Sequence, residues 1–157
     1  MDGTDVANNK RILLANGCFL QVGTLIYRMR NKNLEFLLIT SRKSGRWIIP
    51  KGWPIPKKSL SQAALQEAYE EAGMRGAIKM FPIGTYEYEK LDFSSEKNKK
   101  FCVYVFSMLY LRQEQKWPEQ GQRAYEWVTP SEAARRVREL QLKKLLLRYK
   151  HMINDMK

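Results

Sequence analysis

One helix is delimited at both ends within SLSQAALQEAYEEAG, residues 59–73. Ser59 is followed three positions later by Gln62, which fits a capping box at a helix start, and Gly73 suits the left-handed conformation after a helix end. A stripe of small residues recurs every four positions: Ala64, Ala68 and Ala72. The pattern therefore predicts a helix over Leu60–Ala72 that packs closely on a sheet.

Strand-like runs surround this helix. They are rich in branched and aromatic residues and are bounded by turn formers, as strands usually are. Their bounds are residues 16–27, 34–41, 46–50, 76–90, 100–111 and 125–128. Two further helices are predicted, one capped by Thr129 with Pro130 at its first position and one that begins at Glu139. The alternation predicts a mixed α/β fold.

A chain of 157 residues with 44% hydrophobic residues supports one buried core. We expect a single domain over residues 1–157, with a core over about 16–137 and a basic helix over about 139–155. No apolar run is long enough to span a bilayer, and the N-terminus lacks the layout of a signal peptide. We therefore expect a cytoplasmic location, whereas the oligomeric state is not determined by these patterns.

Cysteine and histidine are too few for several kinds of site. The chain has two cysteines, Cys18 and Cys102, and one histidine, His151. This inventory excludes a zinc site of the usual nitrogen and sulfur ligands and argues against a disulfide framework. We expect both cysteines to be buried thiols.

The charge balance favours an anionic ligand. There are 28 Lys and Arg residues against 16 Asp and Glu residues, which gives a net charge of +12. Such a field attracts nucleic acid, a membrane surface or a small polyphosphorylated ligand. The alternative is a solvated basic surface that serves solubility.

Three carboxylates are concentrated on the predicted helix of this basic chain. Glu67, Glu70 and Glu71 stand three and four positions apart, so they share one helical face. Like charges at this spacing repel, and Mg²⁺ would offset the repulsion because it prefers oxygen ligands. The alternative is an acidic face that balances nearby basic residues.

The segment that ends with this helix resembles the motif of the Nudix hydrolases. That motif is G, five residues, E, seven residues, R-E, an aliphatic residue, any residue, E-E, any residue, G and an aliphatic residue. The matching positions are Gly52, Glu67, Ala68, Glu70, Glu71, Gly73 and Met74. Two positions depart, because Lys58 stands at the first glutamate and Gln66 at the arginine.

The resemblance implies an α/β/α sandwich with a mixed sheet between helices. It also implies hydrolysis of a phosphoanhydride bond, with Mg²⁺ as cofactor and Mn²⁺ as a substitute. Glu67, Glu70 and Glu71 are then both metal ligands and catalytic residues, with Glu67 also helping to deprotonate water. Four glutamates outside the motif are candidate bases: Glu87, Glu114, Glu119 and Glu126.

Residues 41–52 and 121–134 resemble the branch that contains diphosphoinositol polyphosphate phosphohydrolases and diadenosine polyphosphate hydrolases. The branch implies a small polyphosphorylated substrate, either a dinucleoside polyphosphate or a diphosphoinositol polyphosphate. Substrate-binding residues are expected at Ser41, Arg42, Arg46, Lys51, Gly52, Lys58 and Arg123. Nucleoside triphosphates, nucleotide sugars and capped RNA fit the same chemistry. The alternative function is an impaired Nudix scaffold, disabled by Lys58 and Gln66, that binds a nucleotide or RNA.

Overall fold

The computed structural model describes residues 11–92 and 97–155, and within them eight strands form one mixed sheet. The first four strands are β1 (Phe19–Arg30), β2 (Asn33–Thr40), β3 (Trp47–Ile48) and β4 (Lys51–Gly52). The last four are β5 (Met74–Ile78), β6 (Gly84–Asp92), β7 (Lys97–Gln113) and β8 (Tyr125–Val128). The helices are α1 (Leu60–Ala72), α2 (Pro130–Arg136) and α3 (Leu140–Asp155).

The two longest strands, β1 and β7, lie side by side and run parallel, with Phe19 beside Phe101 and Tyr27 beside Leu109. The remaining strands pair antiparallel with β1, β2 or β7. In particular, β4 pairs with β1 through Val22 and Gly52, which brings the glycine of the motif to the sheet.

Helices cover both faces of this sheet. Successive residues of β2 point to opposite faces: Phe36 and Leu38 pack with α2 and α3, whereas Leu37 and Ile39 pack with α1. The alanine stripe of α1 is buried, which lets the helix approach the sheet closely. The predicted α/β/α sandwich is therefore confirmed.

Helix limits agree closely with the sequence. Helix α1 has the predicted bounds and its full capping box: Ser59 Oγ accepts from the Gln62 backbone N–H, and the Gln62 side chain accepts from the Ser59 N–H. Gly73 has φ +71°, the left-handed value expected of it. Helix α2 is capped by Thr129 with Pro130 at its first turn, as predicted.

Two strand predictions were wrong. The run 76–90 is not one strand, because β5 and β6 pair with different parts of β7 and are separated by a segment that contains Pro82, which has no N–H to donate. The run 46–50 is strand only over β3, Trp47–Ile48, which pairs with β2, and the next strand, β4, begins after the run at Lys51 and pairs with β1. Partner choice in a sheet is a tertiary property that local composition does not determine.

Both cysteines are free and buried, as predicted. None of the helices in the described part of the chain is long and apolar enough to cross a bilayer. The first ten residues, on which the sequence predicts the absence of a signal peptide, lie outside the described residues.

Candidate active site

A cleft of about 1210 Å³ opens beside α1 and β4. Every residue that the sequence predicts for the catalytic or substrate-binding site lines it. They are Ser41, Arg42, Arg46, Lys51, Gly52, Lys58, Glu67, Glu70, Glu71 and Arg123. The fold therefore brings together three chain segments that are far apart in sequence.

Position 52 has no room for a side chain, because Glu67 lies against it. A Cβ atom at this position would overlap the carboxylate and the Cγ atom of Glu67. Gly52 was predicted to bind substrate, and in the structure its lack of a side chain accommodates Glu67. Gly52 belongs to β4 and Glu67 to α1. Because position 52 has no side chain, the Glu67 carboxylate can lie against the backbone of β4.

Glu67, which is half-buried, and Glu71, which is buried, form a pair of carboxyl groups. Their side chains are hydrogen-bonded to each other, and Glu71 is only 7% exposed. Burial, together with the charges of Glu71 and Glu70, raises the pKa of Glu67 to about 9. Burial also raises the pKa of Glu71 to about 7, although Arg123 opposes the rise. Desolvation penalises the charged form of each group, so the pair holds a proton near neutral pH.

The Glu71 carboxylate is held on both oxygens. Its Oε1 accepts from the backbone N–H of Lys51 at 3.3 Å, and its Oε2 lies 3.5 Å from Nη2 of Arg123. The Arg123 guanidinium is itself buried, 2.9 Å from Glu119 and 3.0 Å from the Thr40 carbonyl oxygen to which it donates. The structure thus places Arg123, which was predicted to bind substrate, against acidic groups of the protein.

Glu70 is oriented by its own helix. The Gln66 side-chain amide donates to Glu70 Oε2 at 2.6 Å. The backbone N–H of Glu119 donates to the Glu70 carbonyl oxygen at 3.0 Å, which ties the loop before β8 to α1. Gln66, the residue that replaces the arginine of the motif, therefore makes a hydrogen bond to one of the three glutamates.

The candidate bases outside the motif are not equivalent. Of the four predicted glutamates, Glu119 lines the cleft. Glu114 pairs instead with Arg75 at 3.0 Å, and Glu126 pairs with Arg136 at 2.9 Å. The arginines hold the pKa values of Glu114 and Glu126 below their usual range.

Some predicted cations of the cleft are already paired. Arg42 donates to the Gln122 side chain at 2.9 Å, and Arg46 lies 3.4 Å from Glu139. Lys51 lies over the Tyr88 ring at 4.8 Å, and burial lowers its pKa.

Three other cations of the cleft have unpaired side chains. The side chains of Lys43, Lys58 and Arg138 line it and have no ion-pair or hydrogen-bond partner in the part of the chain that the structure describes. Of these three, the sequence predicted Lys58. Lys43 and Arg138 come from the loop before β3 and the junction between α2 and α3.

Sequence reasoning missed an aromatic group at the cleft: Phe19, Trp53, Tyr88 and Phe101. Tyr88 stacks on Phe101 with ring centroids 4.9 Å apart, and Trp53 meets Phe19 and Phe101 edge-on. Arg11 lies 4.8 Å above Trp53. The group depends on strand register, because Phe19 and Phe101 are neighbours across β1 and β7. Of these four aromatic residues, only Trp53 could have been associated with the site from the sequence, because it follows Gly52 of the motif.

Residues 19–152 match the family model described as NUDIX domain. This chain belongs to the Nudix family. Nudix hydrolase 21, chloroplastic, of Arabidopsis thaliana is 34% identical over 121 residues, which are 71% of this chain and 56% of that protein. Diphosphoinositol polyphosphate phosphohydrolase 3-alpha of Mus musculus is 27% identical over 112 residues, which are 71% of this chain and 63% of that protein.

The Nudix chain spans 50%, 65% and 56% of the lengths of three Arabidopsis relatives, Nudix hydrolases 12, 16 and 21. The names of these relatives include mitochondrial or chloroplastic, so the cytoplasmic location stays a prediction. The crystal structure of a C. elegans Ap4A hydrolase binary complex matches with a TM-score of 0.62 at 22% identity, over 87% of this chain and 98% of the other. At this identity the likeness shows the fold.

Nudix hydrolases generally use divalent cations such as Mg²⁺. Among residues 11–92 and 97–155, no group of three His, Cys, Asp or Glu side chains converges closely enough to hold a metal. Two carboxylates, Glu67 and Glu71, do meet. Mg²⁺ is commonly held by one or two carboxylates with waters and substrate phosphates, so this pair fits such a cation. A cation there would also stabilise the ionised forms of both groups, whose pKa values burial raises.

Proposed function

We propose that this Nudix chain hydrolyses a phosphoanhydride bond in a dinucleoside polyphosphate, with the help of a divalent cation. One observation carries the proposal. The same cleft contains a hydrogen-bonded pair of carboxyl groups, unpaired cations and a group of aromatic rings. The carboxyl pair suits a divalent cation, and the unpaired cations suit a chain of phosphates. The aromatic rings suit the base of a nucleotide.

Glu67 and Glu71 would hold the cation. When bound, it would neutralise charge on the phosphates and lower the pKa of water. Glu67, ionised when the cation is bound, would also accept a proton from the attacking water. Glu70, oriented by Gln66, is the third acidic residue of the site.

The unpaired cations would bind the phosphates. Lys43, Lys58 and Arg138 have no carboxylate to compete with a ligand among the described residues. A guanidinium can donate two parallel hydrogen bonds to a phosphate, whereas a lysine acts as a point charge. Several such groups along one cleft favour a substrate with more than two phosphates.

The aromatic group favours a nucleotide over an inositol. A planar base stacks on aromatic rings, with about 1–3 kcal/mol for each base. A diphosphoinositol polyphosphate has a saturated ring that carries several phosphates and has no flat apolar face. Phe19, Trp53 and Tyr88 are half-buried at the cleft, so parts of their rings remain accessible.

A diphosphoinositol polyphosphate is the second candidate. The unpaired cations favour it equally, since it carries the densest phosphate array. The mouse relative named above is a diphosphoinositol polyphosphate phosphohydrolase. The two candidates differ in what they require of the aromatic group, which a variant can test.

A substrate panel tests the proposal. Phosphate release is measured with Mg²⁺ and with Mn²⁺ on diadenosine tetraphosphate and hexaphosphate, a diphosphoinositol polyphosphate, a nucleoside triphosphate and capped RNA. We expect turnover of the diadenosine compounds, loss of turnover in Glu67→Gln, and a KM raised about tenfold in Trp53→Leu. A faster reaction on the inositol compound that Trp53→Leu leaves unchanged would favour the second candidate.

The same panel tests the binding-module alternative. A binding module would turn over none of these compounds, and its ligand affinity would be intact in Glu70→Gln. That combination would overturn the enzymatic proposal. A nonspecific nucleic-acid binder would show affinity for any duplex, falling steeply with added salt.

A further inference from the structure

Arg123 is the most constrained cation of the cleft. Its side chain is 8% exposed, and its guanidinium reaches the carboxylates of Glu71 and Glu119 and the Thr40 carbonyl oxygen. Arg42 lines the same cleft and also approaches Glu119, at 3.8 Å, but its side chain is 53% exposed. The Arg42 side chain is therefore freer to move than the Arg123 side chain, although both approach Glu119.

The geometry points to Arg123 as a positioning residue for Glu71. We infer that its guanidinium fixes the orientation of this carboxylate and does not bind the phosphates of the substrate. The inference rests on the proposed function, in which Glu71 holds the cation.

The contacts of the Arg123 guanidinium hold it rigidly because they join three parts of the fold. Thr40 ends β2, Glu119 lies in the loop before β8, and Glu71 lies in the last turn of α1. The Lys51 N–H from β4 holds the other oxygen of Glu71. With contacts on both oxygens, the carboxylate cannot rotate without breaking a hydrogen bond or an ion pair.

Phosphate binding would require Arg123 to leave these partners. Its contacts to two carboxylates and one carbonyl oxygen already engage the guanidinium on several sides. Releasing a buried charge from its partners is costly, since the partner carboxylates would then lack a counter-charge. Arg42, by contrast, can swing into the cleft at little cost because it is exposed.

The position also explains how the site tolerates Gln66. Within the described residues, the Gln66 amide donates to Glu70 and makes no hydrogen bond to Glu71. The guanidinium next to Glu71 therefore comes from Arg123, which lies outside α1, and not from the helix position at which the motif has its arginine.

The test compares Arg123→Gln, Arg123→Lys and the matched control Arg42→Gln. Mn²⁺ affinity is measured by titration calorimetry without substrate, and kcat and KM are measured on diadenosine tetraphosphate. Partners that orient a metal ligand typically contribute 10–100-fold to affinity or activity. For Arg123→Gln we expect Mn²⁺ binding weakened about tenfold and kcat lowered at least tenfold, with KM changed less than threefold. Arg123→Lys should recover part of both losses, while Arg42→Gln should raise KM and leave Mn²⁺ binding unchanged.

The opposite split would overturn the inference. A raised KM in Arg123→Gln, with kcat and Mn²⁺ affinity intact, would make Arg123 a phosphate-binding residue. If circular dichroism shows Arg123→Gln to be unfolded, the comparison of Arg123→Lys with Arg42→Gln decides in the same way. If the wild-type chain turns over no substrate, the proposed function fails, and the Mn²⁺ titrations still decide whether Arg123 positions Glu71.

Discussion

Replacing Glu67 by glutamine is expected to stabilise the metal-free protein. The native pKa of Glu67 is about 9, against an ordinary value of 4.5. Between these values the native state keeps a proton that the unfolded chain has released, so the free energy of unfolding falls as pH rises from about 4.5 to 9. Glutamine has nearly the same shape but cannot ionise, and it removes this penalty.

The expected size follows from the same pKa values. One pKa step corresponds to about 1.4 kcal/mol, so keeping the carboxyl protonated at pH 8 costs at most about 5 kcal/mol. Water at the open side of the cleft screens the charges. We expect a net gain of about 2 kcal/mol for Glu67→Gln at pH 8 and less than about 1 kcal/mol at pH 5. In a chain of this size the gain at pH 8 raises Tm by roughly 4–8 °C.

Thermal unfolding followed by circular dichroism in the presence of a chelator measures the effect at both pH values. The control is Glu89→Gln, which removes an exposed carboxylate that also lines the cleft. Added Mg²⁺ should raise the Tm of the wild type more than that of Glu67→Gln, because a ligand that binds only the native state stabilises it. A variant less stable than the wild type at pH 8, or a gain that is equal at both pH values, would refute the electrostatic argument.

Three further predictions concern β4, α1 and the loop between them. Gly52→Ala should leave Tm within a few degrees of the wild type but lower Mn²⁺ affinity in calorimetry, because the added methyl group displaces the flexible Glu67 side chain; an unchanged affinity would contradict this contact. Ser59→Ala should lower the free energy of unfolding by about 1 kcal/mol in urea titrations, since it removes the helix cap. Lys58→Glu should raise KM more for diadenosine hexaphosphate than for the tetraphosphate; equal changes would rule out Lys58 as a phosphate-binding cation.

The limits of α1 could be predicted because they depend on neighbouring residues. The capping box of Ser59 and Gln62 and the left-handed Gly73 act over three or four positions of the chain. Strand partners could not be predicted in the same way. The division between β5 and β6 depends on how β7, which lies later in the sequence, pairs with each of them.

The sequence by itself determined the limits of α1, its acidic face and the family, because spacing along a helix fixes which side chains share a face. Through the resemblance to the Nudix pattern it also identified part of the lining of the cleft. Only the tertiary structure decided which charges are free. Arg123 and Lys58 are both predicted substrate-binding cations, yet one is buried between carboxylates and the other has an exposed side chain without a partner in the described chain. Ion pairing depends on distances between segments far apart in the sequence.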